Sequence, residues 1–250
     1  MVETHDKMVI VSPEVIKEKR NEIERIDGFL SIGYYVFYII LLYLFGLLVF
    51  KTNIFTSFNY FENDKLNQFI FYIPITFISV IPIIIIKRIR KQSFTSLGIK
   101  INNVPKSIAL GVLFALPLVL PVLISGFIKG ASFTDIEDMI WTFIYFLVCI
   151  GFVEELVFRG FIQTRIRGII KGKWMSIMIV GVMFAMIHIP FQMLRFNMSF
   201  IQFVQHDFSH LLTTMIFHIY FVYIYTRLDN IIAPTITHTL INFIPTIFIL

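Results

Sequence analysis

The chain reads as long apolar runs separated by short polar loops. The runs lie at about 29–50, 66–86, 107–128, 139–163, 174–190, 210–226 and 231–249. Each has the length, roughly 17–25 mostly apolar residues, at which a helix crosses a bilayer. Pro74, Pro82, Pro117, Pro121 and Pro234 fall inside runs, a position that packed neighbouring helices tolerate in a membrane. The pattern predicts an all-α, polytopic transmembrane helix bundle of about seven spans. Loops are short and no repeat is evident, so residues 29–250 read as one membrane domain. Residues 1–28 mix acids and bases and lack the apolar core of a signal peptide. Ser12-Pro13-Glu14 has the order of a helix start. Ile16, Ile23, Ile26 and Leu30 follow at helical spacing, which predicts an amphipathic N-terminal segment leading into the membrane.

Composition agrees. The chain is 57% hydrophobic and 15% charged, with a mean hydropathy of +0.82, whereas a soluble domain is about 25% charged. The net charge of +5 does not point to nucleic acid, because the basic residues lie in loops beside apolar runs and there meet lipid. Sixteen Lys and Arg fall in residues 1–28 and the loops near 87–106, 164–173 and 227. The opposite loops hold Lys51, Lys65, Lys129 and Arg195. The positive-inside rule therefore places the N-terminus in the cytoplasm. Cys149 is the single cysteine, so no disulfide framework exists within the chain.

One span is charged. "GFVEELVFRGF", residues 151–161, carries Glu154, Glu155 and Arg159. A charge at the bilayer centre costs about 2.5–3.5 kcal/mol on insertion scales. Glu155 and Arg159 stand at i and i+4, with the acid N-terminal, the favourable order for an ion pair. Glu154 lies about 100° round the helix. The pair thus accounts for one glutamate and leaves the other as a candidate general base.

Later spans add partners. "FAMIH" puts Phe184 and His188 on one helical face, and "HTLIN" does the same for His238 and Asn242. A lone histidine in an apolar helix is usually a packing residue. Here two histidines, an asparagine and two glutamates sit in three spans, at depths of about 10–21 Å from the cytoplasmic end. Together they can supply a base, a second proton carrier and oxyanion donors. His218 ranks lower, and His206 and His210 border an external loop, where solvent is expected. No H-E-x-x-H zinc helix occurs.

These three motifs, E-E-x-x-x-R, F-x-x-x-H and H-x-x-x-N/D in that order, resemble those of the CAAX protease and bacteriocin-processing (CPBP, or Abi) family of intramembrane proteases. The resemblance covers roughly residues 90–250, with the motifs within 139–250, and "SLGI" at 96–99 is similar to a short element preceding the spans there. It implies that Glu154 and His188 activate water, and that His238 and Asn242 stabilise the oxyanion. Glu155 and Arg159 would support Glu154, with Phe184 packed beside the site. The implied activity is an intramembrane endopeptidase acting on a lipid-linked or membrane-embedded peptide or protein. A conical polar cavity opening to the cytoplasm is expected, in what residue usage suggests is a bacterial cell membrane. A metal-free mechanism is favoured; if a divalent ion such as zinc takes part, Glu154, His188 and His238 are the ligands. The alternative is a non-catalytic scaffold or a bacteriocin-immunity or regulatory protein.

Overall fold

A computed structural model describes residues 23–249; the Ser12-Pro13-Glu14 helix start lies outside the described residues. Among the described residues six helices are long and apolar enough to cross a membrane: α1 (Arg25–Lys51), α2 (Asp64–Ile89), α3 (Val104–Ile128), α4 (Ile136–Gly168), α5 (Lys173–Arg195) and α6 (Phe208–Leu228). The seventh run is only partly helical. α7 (Ile232–Phe243) has 12 residues and gives way to a tight turn at Ile244–Ile247. Pro245 lacks an N–H and so cannot continue the hydrogen-bond ladder of α7. Phe248–Ile249 then pairs antiparallel with Ser132–Phe133, closing the far end of α3.

The bundle is built with apolar residues outward. Phe29, Phe77, Leu113, Ile124 and Phe127 are all more than half exposed, while Ser31, Ser79 and Ser107 on the same helices are buried. This distribution suits lipid: tails solvate apolar side chains, and small residues inside let helices approach closely. At Gly111 a Cβ would come within 2.6 Å of the Ala233 carbonyl. The glycine therefore lets α3 lie on α7, and Thr237 Oγ1 donates to its carbonyl at 2.9 Å. The SLGI stretch forms a single turn, Phe94–Leu97, laid on α4 at Gly160, with Gly98 in the left-handed region at φ 76°. α1 starts at Arg25, and Arg90 at the end of α2 bridges Glu24 and Asp27 at 2.6 and 2.9 Å.

Two cations counted with the basic loops are not at the surface. Lys87 and Arg165 are buried, and both donate to Ser96 Oγ. Lys91 and Lys171 remain exposed at that end. With Cys149 changed to Ala, cysteines at Lys91 and Lys171 should resist an impermeant thiol reagent on whole cells, and one at exposed Lys129 should react. The reverse pattern would invert the orientation read from the basic loops.

Candidate active site

The charged part of α4 is not a regular α-helix. Phe146–Phe152 and Leu156–Ile162 are wound in wider π-turns on either side of Val153–Glu155. Such turns insert a residue into the helix, re-aim side chains and recur at functional sites. Gly151 sits in the first. A Cβ there would stand 2.6 Å from Thr239 Oγ1, so glycine allows α7 to press onto α4 beside the glutamates.

The two glutamates have different surroundings. Glu155 is sealed at 0% exposure; its Oε2 lies 3.0 Å from Arg159 Nε, and its Oε1 accepts from His238 Nδ1 at 2.9 Å. The Arg159 contact is an ion pair by distance but is not aligned as a hydrogen bond. The Arg159 guanidinium carbon lies over the rings of Phe184, at 4.3 Å, and Phe221, at 4.7 Å. Both aromatic faces favour the cation. Glu154 instead lines a cavity of about 500 Å³, with its Oε2 3.8 Å from His238 Nε2.

His188, His238, Asn242 and Phe184 line that same cavity. His188 lies just past a break at Ile187 that separates Lys173–Met186 from His188–Arg195. Pro190 explains it, because it cannot donate to the Met186 carbonyl. His188 Nδ1 is 2.9 Å from the Phe184 carbonyl. A carbonyl only accepts, so the proton is on Nδ1 and the neutral ring keeps a lone pair at Nε2. His238 is fixed in the same sense, because Nδ1 donates to the Glu155 carboxylate. Its ring stacks on Phe221 at 4.8 Å. His238 can therefore donate toward the cavity from Nε2 only when doubly protonated.

The wall of the cavity corrects one expectation. Gln68 and Tyr72 lie in the first half of α2, Tyr145 in the first half of α4, Arg195 at the end of α5 and His210 near the start of α6. All belong to the end that carries loops 52–63, 129–135 and 196–207. The cavity thus runs from mid-bundle away from the basic loops, whereas the sequence placed its opening at the cytoplasmic, basic end. The depths of four side chains locate the floor of a void but not the direction in which it widens.

Sequence reasoning also missed residues. His210 is exposed, as expected, and it also lines the cavity, its Nδ1 2.8 Å from Asp207 and its ring 6.0 Å from that of His188. Gln192 and Arg195 line it too; their spacing of four and seven residues from His188 on one helical face was the available signal. Among the described residues no three His, Cys, Asp or Glu side chains are placed to share a metal ion. Glu154, His188 and His238 as arranged do not form a three-ligand cluster.

Residues 136–244, which hold all three motifs and run from α4 to α7, match the family model described as Type II CAAX prenyl endopeptidase Rce1-like. The resemblance read from the motifs, to the CPBP family of intramembrane proteases, is consistent with this match. No curated protein and no solved structure matches the chain. The matched family is one of endopeptidases, and the six apolar helices among the described residues support an integral membrane protein. The chain supplies Glu154, Glu155, Arg159, His188, His238 and Asn242 from one matched region, while α1 and α2 close the cavity from outside it.

Proposed function

We propose that the protein hydrolyses a peptide bond in a lipid-linked or membrane-embedded peptide or protein, with Glu154 as the general base. The observation that carries this reading is the division of labour between adjacent glutamates: Glu155 is sealed against Arg159 and His238, while Glu154 faces the cavity. Water bound between Glu154 and the Nε2 lone pair of His188 gives its proton to Glu154 as its oxygen attacks the carbonyl. His238, doubly protonated, and Asn242 donate to the oxygen that becomes negative. The proton then passes from Glu154 to the departing nitrogen as the C–N bond breaks. Tyr38, Tyr72 and Tyr145 stand on the cavity wall among Leu42, Ile75 and Phe191 and among polar groups such as Gln68 and Gln192, a mixed lining that offers both apolar contact and hydrogen bonds to a peptide.

Purified protein in lipid nanodiscs should cleave a quenched lipopeptide. No cleavage of any lipid-linked or membrane-embedded peptide, together with cellular function retained by alanine variants of Glu154, His188, His238 and Asn242, would leave the scaffold reading. Asn242→Ala removes one oxyanion donor and should slow turnover by about 10²-fold, with substrate binding nearly intact. The metal-free route is checked by phenanthroline. Activity should survive it, and full inhibition reversed by zinc would replace that route with a metal-dependent one.

A further inference from the structure

His218 is a fully buried histidine on α6 that the hydrolytic scheme does not use. Its surroundings form a hydrogen-bonded chain with a fixed direction. Ser176 Oγ donates to the Lys173 carbonyl at 2.8 Å, which leaves its lone pairs to accept from Gln163 Nε2 at 3.3 Å. That contact orients the Gln163 amide, so its Oε1 faces His218 Nε2 at 3.0 Å. An amide oxygen only accepts, hence the proton of His218 is on Nε2 and Nδ1 carries a lone pair.

That Nδ1 is buried without a partner among the described residues. So are both terminal nitrogens of Arg159, which can only donate. The two side chains share one ring: Phe184 lies 4.3 Å from the Arg159 guanidinium carbon and 5.9 Å from the His218 ring centre. Phe184 and Phe221 stand against the guanidinium, and its N–H groups lie in its plane, so their partners must lie around its edge. Glu155 takes the Nε corner. Buried donors and acceptors left open beside the same ring are what a buried water can join.

We infer that His218 is a positioning residue for the active site, its Nδ1 accepting from the Arg159 guanidinium through a buried water. The chain then runs from the Lys173 carbonyl through Ser176, Gln163 and His218 to Arg159, each group donating toward Lys173, and ends on the Glu155 carboxylate, which pairs with Arg159 and accepts from His238. It holds the outer edge of Arg159, so that Glu155 keeps its second oxygen on His238 Nδ1. Five helix-borne side chains on α4, α5 and α6 thereby fix the ring on α7 that faces Glu154. This inference rests on the hydrolytic reading above for its kinetic test, but not for its spectroscopic one.

Asn and Gln at position 218 separate positioning from packing. Asn keeps a polar atom where Nδ1 stands and loses the contact to Gln163; Gln keeps the Nε2 position and loses the contact to Arg159. Each leaves one buried partner unmet, so the two should melt alike. His218→Asn should keep the parental kcat, and His218→Gln should lower it by roughly 10-fold, the scale of one hydrogen bond to a charged group, with KM unchanged. Equal kcat for the two variants would overturn the inference. Should either variant fail to accumulate, the 15N spectrum of histidine-labelled parent protein decides. A His218 protonated at Nε2 with a hydrogen-bonded Nδ1 supports the chain, and one protonated at Nδ1 overturns it. A parent that cleaves no peptide would defeat the hydrolytic reading alone, leaving the tautomer to decide the chain.

Discussion

Glu154→Gln should abolish hydrolysis while the protein accumulates and melts as the parent does. The carboxylate borders the cavity, and its Oε2 has no hydrogen-bond partner among the described residues. An amide of nearly the same shape fills the same space and strands no charge, so packing should not change. What is lost is the ability to take a proton from water, a contribution of about 10²–10⁴-fold for general acid–base catalysis. The check is turnover of a quenched lipopeptide beside a melting curve in the same nanodiscs. Full activity in this variant would remove Glu154 as the base. A fall in melting temperature equal to that of a Glu155 variant would mean that the two glutamates share one structural role.

The second large effect belongs to the sealed pair. Glu155→Gln or Arg159→Ala should cost about 3–5 kcal/mol, the range for breaking a buried ion pair by removing one partner. In Glu155→Gln, Arg159 keeps its charge at 0% exposure and loses its only carboxylate at contact distance among the described residues. The aromatic faces of Phe184 and Phe221 soften that loss but do not neutralise it. His238 loses the acceptor that orients it, so activity falls with stability. Accumulation in membranes and melting temperature should both drop, against little change in melting for Glu154→Gln. Parental stability in both sealed-pair variants would show that the pair is not what holds α4 in place.

Much of the fold was written in the pattern of the chain. Seven apolar runs gave six membrane helices and a seventh, shorter one, because a run long enough to span cannot be stably packed as anything else in lipid. The Glu155–Arg159 pairing was also legible, since i and i+4 share a helical face whatever lies opposite. So was the likeness of the three motifs to the CAAX protease and bacteriocin-processing family.

Contacts between helices were not legible. Helical spacing says which residues share a face, but not which neighbour covers it. That Glu155 also holds His238, 83 positions away in sequence, depends on α7 lying against Gly151. That His188 and His238 each carry a proton on Nδ1 depends on a carbonyl and a carboxylate that no periodicity records. The π-turns around Val153–Glu155 lie outside a reading based on 3.6 residues per turn. Lys87 and Arg165 looked like loop cations, and packing against Ser96 drew them inside. The direction of the cavity was decided by rim residues on α2, α4, α5 and α6 that carry no motif. The sequence by itself determined which segments enter the membrane and which charges go with them; the tertiary structure alone decided which of those charges are covered, because burial belongs to pairs of helices and not to one.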